Sequence, residues 1–309
     1  MPPRPAPAYR ALLEGGELRR RAGLARARLG DCTLCPRACH ADRTAGPSAG
    51  CRTGALARVA SYGPHHGEEA PLRGRLGSGT VFFSGCSLRC VFCQNFTTSQ
   101  LLEGPELTDE ELARVFLDVA ASGCHNLNLV TPSHVVPQVL SALLLAAERG
   151  LSIPVVWNSS GYDSLEALAL LDGVVDVYMP DLKYADEATP RRLSGVPGYP
   201  EAAFAAVREM HRQVGDLVLD GDGLAVRGLL VRHLVLPGGL AGTAAVLRFL
   251  ATEVSRRTYL NLMDQYHPAF RAREHPPLDR RPTSRELDEA FEEARRLGLT
   301  RLDAPRRHG

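Results

Sequence analysis

The chain has 309 residues, 44% of them apolar, which is enough for a large buried core and too much for general disorder. Its 36 basic residues stand against 35 acidic ones, so the net charge of +1 excludes a strongly basic nucleic-acid binder. The most apolar helix candidate, Val135 to Ala147, is too short to span a bilayer and is interrupted by Pro137 and Gln138, so no membrane is expected.

In chain order, the stretch Met1–Leu29 is rich in Pro, Ala and Arg without an apolar run, and does not read as a secretory signal. The expected location is therefore cytoplasmic, where eight cysteines point to metal binding or catalysis rather than a disulfide framework. Four of them come early and close together: Cys32-Thr-Leu-Cys35-Pro-Arg-Ala-Cys39, then Cys51. Gly, Pro and Ser surround them, so they sit in loops. Four thiolates with no open position describe a structural zinc or a second [4Fe-4S] cluster, and spacing does not choose between the two. Residues 1–60 thus read as a small metal-organised segment ahead of a main domain over 61–309.

His65-His66-Gly-Glu68-Glu69 precedes the first strand of that domain, and either lines a cofactor mouth or caps a loop. Thr80–Ser84 is a short apolar strand. Thr108 caps a helix whose first turn is acidic and which ends at Gly123. Cys124 reads as a core thiol. Asn126–Val130, Pro154–Asn158 and Val174–Met179 are strands, interleaved with helices over Val135–Arg149 and Ser164–Leu171. A helix over Glu201–Val214 comes next, then a hairpin from Leu217–Asp220 to Leu224–Gly228 around an Asp220-Gly-Asp-Gly turn. Leu229–Leu236 and Thr258–Met263 are strands flanking a helix over Thr243–Ser255, and Ser284–Leu297 is a capped helix. About six βα units in a row argue for an α/β fold, a partial (β/α)6 barrel of parallel strands with outer helices. In such folds the chemistry gathers at the C-terminal ends of the strands.

Directly after the first barrel strand comes Gly85-Cys86-Ser-Leu-Arg-Cys90-Val-Phe-Cys93-Gln94-Asn95. Three soft thiolates in one loop select zinc, Cu(I) or an iron–sulfur cluster. A four-iron cluster held by three cysteines keeps one iron open, whereas a zinc site would need a distant His or Cys124 to complete it.

Cys-x3-Cys-x2-Cys with Phe92 before the last Cys resembles the radical S-adenosylmethionine (SAM) superfamily. Thr80-Val-Phe-Phe-Ser before it and Gln94-Asn95 after it are similar to the branch around pyruvate formate-lyase activating enzyme, within it to proteins with an N-terminal Cys-x-x-Cys-Pro segment. The resemblance implies a [4Fe-4S] cluster on Cys86, Cys90 and Cys93, with SAM on its open iron. One electron then splits SAM into methionine and a 5′-deoxyadenosyl radical that abstracts hydrogen. It also implies an electron donor such as flavodoxin or ferredoxin, and admits a protein substrate.

Carried over position by position, the resemblance implies further contacts to SAM. Val130-Thr131-Pro132-Ser133-His134 stands where the family has a Gly-Gly-Glu-like segment, so Thr131 or backbone carbonyls take the methionine amine. Asn158 and Ser159, in Trp157-Asn-Ser-Ser-Gly161, match the position that meets ribose or methionine. Lys183, in Met179-Pro-Asp181-Leu-Lys183, matches the lysine on the carboxylate and is the one Lys among the 36 basic residues. Arg232 matches the family's Arg-then-Pro-Gly strand, and His267, in Tyr266-His267, lies near the adenosyl group. No catalytic side chain beyond the cofactor radical is assigned from the sequence. Two other outcomes stay open: a radical SAM enzyme acting on a small molecule or RNA, and a non-catalytic iron–sulfur protein that passes electrons.

Overall fold

The computed structural model describes residues 5–303; residues 1–4 of the Met1–Leu29 stretch and residues 304–309 of the main domain lie outside the described residues. The strands are β1 (Ala57–His65), β2 (Ser78–Phe83), β3 (Glu106–Leu107), β4 (Leu127–Val130), β5 (Val155–Ser159), β6 (Val177–Pro180), β7 (Val218–Leu219), β8 (Ala225–Leu234) and β9 (Tyr259–Met263). Six of them, β2, β4, β5, β6, β8 and β9, pair parallel in chain order. This is the expected six-stranded barrel, and it is open. The free edge of β2 is taken by antiparallel β1, which in turn pairs with β3. Helices cross between the parallel strands, among them Asp109–Ala121, Val136–Glu148, Leu165–Leu171 and Tyr199–Val214. Covered by them on the outside, β4, β5 and β6 are apolar along most of their length and buried throughout except Val130.

Local sequence sets these elements. Thr108 and Glu111 form a reciprocal capping box, satisfying backbone N–H groups at the start of Asp109–Ala121, and Thr283 with Glu286 does the same for Ser284–Arg296. Helix Val136–Glu148 is nearly all apolar and lies inside, beneath a second layer. That layer is formed by helices Tyr9–Glu14 and Glu17–Ala27, which the Pro-, Ala- and Arg-rich composition does not suggest. Their Tyr9, Leu18, Ala22 and Ala25 are buried in the same core as Leu140, Leu143 and Ala147. Tyr9 donates its hydroxyl to the Ile153 carbonyl, and Ala8 N–H donates to Asp176 Oδ1.

Strand β1 carries no strand signal of its own, because Gly63 and Pro64 interrupt it; β2 imposes its extended form. The expected break in the hairpin near Gly228 is also absent. β8 runs unbroken from Ala225 to Leu234, with Gly228 at φ +125° and so close to its neighbour that a Cβ would lie 2.4 Å from Leu217 Cα. The helix expected over Thr243–Ser255 is α-helical to Phe249 and ends in a π turn over Leu250–Val254. Among the described residues no helix is long and apolar enough to cross a membrane.

Candidate active site

The loop after β2 carries Cys86, Cys90 and Cys93, and all three thiols line one cavity of about 380 Å³ at the C-terminal end of the barrel. The loop is pinned from several sides. Gly85 N–H donates to the Thr98 carbonyl, Arg89 N–H to Ser194 and Val91 N–H to Leu193, while the Val91 carbonyl accepts from Arg271 N–H. Gly85 takes φ +89°, and a Cβ there would sit 2.8 Å from the Cys51 carbonyl oxygen, so only glycine lets the loop turn here. Phe92 packs edge-on against Tyr184 and Tyr266.

Each sulfur has a polar neighbour. Leu88 N–H donates to Cys86 Sγ at 3.3 Å, Cys90 Sγ lies 3.0 Å from Ser194 Oγ, and Cys93 Sγ lies 3.2 Å from Ser99 Oγ. Burial pushes the Cys86 thiol up to about 12, with Cys90 adding to it, and the Cys90 thiol up to about 11, with Lys183 opposing. The bare Cys86 and Cys90 thiols therefore keep their protons near neutrality and give them up on binding a metal. Among the described residues no three His, Cys, Asp or Glu side chains gather as the ligands of a single ion. Three soft donors arranged around a volume rather than a point fit a polynuclear iron–sulfur centre, with room in the cavity for a ligand on its open position.

The wall facing the thiols is charged. Asp181, just after β6, is its hub: Oδ2 accepts from Lys183 Nζ at 2.6 Å and Oδ1 from Arg232 Nε at 2.7 Å. Arg232 also donates to Asn158 Oδ1 at 2.7 Å and lies 3.7 Å from Glu68 Oε2. Burial raises the Asp181 carboxyl, but Arg232 and Lys183 outweigh it and hold Asp181 below the usual carboxylate range. Burial would depress Lys183; Asp181 and Cys90 outweigh it and keep the ammonium charged. Tyr199 locks the turn, its hydroxyl accepting from Lys183 N–H at 2.9 Å and lying 2.8 Å from the Ser160 carbonyl.

Of the residues expected from sequence, Thr131, Asn158, Ser159, Lys183 and Arg232 all line this cavity with the three thiols. Thr131 has φ 60°, a strained conformation for a β-branched residue, and donates its N–H to the Asn158 carbonyl. Ser159 turns its hydroxyl to Asp163 Oδ2 at 2.5 Å, so its side chain serves the wall rather than facing a ligand. His267 is exposed, lies outside the cavity lining, and touches it through Gln94 Nε2 at 3.2 Å. Glu68 and Glu69, both buried, line the cavity; Asn261 donates to Glu69 Oε1 at 2.7 Å. Asp181, Ser194, Ser99 and Asn261 are site residues that sequence reasoning misses. Asp181 alone has a signal, two positions before the single Lys.

Cys32, Cys35, Cys39 and Cys51 line a second, small cavity with Arg43 and His134. Burial pushes the Cys35 thiol up to about 12, and nearby Cys51, Cys32 and Cys39 add to the shift. Cys124 is buried in the core, away from both sets.

Residues 80–221 match the model of the Radical SAM superfamily. An uncharacterized protein of Methanocaldococcus jannaschii is 32% identical over 243 residues, covering 76% of this chain and 66% of that one. Pyruvate formate-lyase-activating enzyme of Clostridium pasteurianum is 30% identical over 162 residues, covering 51% of this chain and 61% of that one. The chain thus spans just under two thirds of the length of either relative. A solved structure of TYW1 with a lysine-pyruvate adduct bound aligns over 52% of this chain and 56% of that one, at 14% identity and a TM-score of 0.31.

Proposed function

Because the chain belongs to the radical SAM superfamily, we propose that it is an enzyme holding a [4Fe-4S] cluster on Cys86, Cys90 and Cys93 with SAM in the adjoining cavity. When bound, the pair supplies reductive cleavage of SAM to a 5′-deoxyadenosyl radical that abstracts a hydrogen atom. The protein's part is to bind, orient and exclude water.

In this reading Lys183 meets the SAM carboxylate, its ammonium held in place by Asp181. Arg232 is a positioning residue: its guanidinium is spent on Asp181 and Asn158, and it fixes the height of both against the cavity. Thr131 offers the methionine amine a backbone carbonyl, and Asn158 and Ser159 form the floor beneath methionine and ribose. His267 and Gln94 form the rim on the adenosyl side. Cys32, Cys35, Cys39 and Cys51 hold a second metal.

The observation that carries the reading is the placement of three thiols and the Lys183–Asp181–Arg232 network on the walls of one cavity. A passive electron carrier needs neither that cavity nor that network. Similarity to the Clostridium pasteurianum enzyme supports the activating type, which draws one electron from a flavodoxin- or ferredoxin-class donor and takes hydrogen from a glycine of a protein partner. The net charge of +1 favours a protein over RNA, and the expected location remains the cytoplasm.

The test is direct. The protein is reconstituted anaerobically with iron and sulfide, reduced with dithionite and given SAM, and 5′-deoxyadenosine is measured. Formation that disappears in Cys90→Ala supports the reading. No cleavage by a chain whose cluster is intact and reduced refutes it.

A further inference from the structure

We propose that Cys32, Cys35, Cys39 and Cys51 close on one four-thiolate iron–sulfur centre whose negative charge is partly offset by the buried Arg43, and that this centre braces the loop bearing Cys86, Cys90 and Cys93. The inference deepens the reading above, in which these four thiols hold a second metal.

Arg43 carries the inference. It is 1% exposed, among the most deeply buried large side chains in the protein. Its Nε donates to the Thr53 carbonyl at 2.9 Å and its Nη2 to the Gly54 carbonyl at 3.2 Å. Its Nη1 points at Cys32 Sγ, 3.6 Å away. Among the described residues no carboxylate pairs with it. A buried cation without a counter-charge costs several kcal/mol, and carbonyl dipoles answer its hydrogen bonds but not its charge. Four thiolates around a doubly positive iron–sulfur core carry a net double negative charge. Arg43 stands where that charge would lie, one N–H already on a ligand sulfur.

The bracing rests on the other contacts of the four-thiol segment. Arg37, between Cys35 and Cys39, donates from Nε to the Ser87 carbonyl at 2.5 Å and from Nη2 to the Gly195 carbonyl at 2.9 Å. Arg89, within the other loop, donates back to the Gly50 carbonyl at 3.1 Å. The Cys51 carbonyl packs on Gly85, and His134, which lines the four-thiol cavity, bonds the Ser84 carbonyl through Nε2 at 2.9 Å. Both flanks of Cys86 thus rest on residues adjoining the N-terminal thiols.

The test separates the two metal sites. In the full-length triple variant Cys86→Ala/Cys90→Ala/Cys93→Ala, reconstituted anaerobically, one centre should remain per chain. Iron with equal acid-labile sulfide identifies a cluster and supports the proposal; zinc without sulfide identifies a mononuclear site and overturns it. A triple variant that folds and holds neither overturns it. In the otherwise intact chain, Arg43→Met should weaken the N-terminal metal at least tenfold in competition with a chromophoric chelator, and Arg43→Lys should recover most of that loss. Equal affinity in Arg43→Met removes the counter-ion role. Cys35→Ser should speed iron loss from the Cys86–Cys93 site about tenfold; an unchanged rate removes the bracing role. None of these readouts depends on SAM cleavage, so failure of the enzymatic reading and failure of this one are told apart.

Discussion

Lys183 is the sharpest point in the molecule at which residue chemistry meets function. Every other basic residue in the chain is Arg. Its Nζ sits 2.6 Å from Asp181 Oδ2, while Asp181 Oδ1 is held by Arg232. A guanidinium in place of the ammonium would present a flat fork to an oxygen positioned for a point charge, and would crowd the one already bound by Arg232. Lys183→Arg should therefore keep the fold and the cluster yet weaken SAM binding at least tenfold, about 1.4 kcal/mol. Equilibrium dialysis with the reconstituted variant checks this; wild-type affinity would return Lys183 to compositional accident. The lone Lys is visible in the sequence because its rarity marks it. Asp181 is marked only by standing two positions before it, because its importance arises when β6 and β8 lie side by side and bring Arg232, fifty-one positions away, to its other oxygen.

At the scale of elements, the parallel strands are legible because each is an apolar run set off by capped helices, a pattern local sequence carries. β1 is not, since its extension comes from β2 rather than from its own Gly63 and Pro64. β8 shows what an element imposes on its residues. It buries His233 completely, with Nδ1–H donating to the Leu182 carbonyl at 2.6 Å and Nε2 accepting from Thr243 Oγ1 at 2.9 Å. Burial lowers the imidazole from 6.5 to about 4; the Leu182 carbonyl and Asp181 oppose the shift and Lys183 reinforces it. Between these values the unfolded chain takes up a proton that the folded chain refuses, so stability rises with pH across the window and is lost as pH falls from about 6.5 to about 4. The contribution is at most about 3.5 kcal/mol, from about 1.4 kcal/mol per pKa unit. His134, equally buried and also lowered to about 4, acts in the same direction. Urea unfolding at stepped pH should show this slope in the wild type and a shallower one in His233→Gln. Equal slopes would mean that His233 is not held neutral.

The whole molecule raises a question that composition answers one way and packing another. Clustered cysteines and loop residues mark residues 1–60 off from the rest of the chain. Yet Tyr9, Leu18, Ala22, Ala25 and Leu34 share one core with Leu140, Leu143 and Ala147. Arg10 reaches the Ala147 carbonyl, Arg26 the Ser141 hydroxyl, and Ser164 donates to the Leu34 carbonyl. Most of these partners lie far apart along the chain, which is why no local pattern could announce them. Helix Glu17–Ala27 has a polar outer face and is too short to be stable alone in water, so its stability must come from the helix Val136–Glu148 it covers. The two should therefore open together. Hydrogen exchange read by mass spectrometry under rising urea should give amides of Glu17–Ala27 and of β5 the same opening free energy near the transition. β5 also carries the single tryptophan, Trp157, buried and bonded to Asp163, whose fluorescence reports the barrel in the same samples. Exchange of Glu17–Ala27 at urea concentrations where Trp157 stays native would make the N-terminal region a separate unit, and the contacts of Arg37 and Arg89 between the two cysteine-bearing segments contacts between domains.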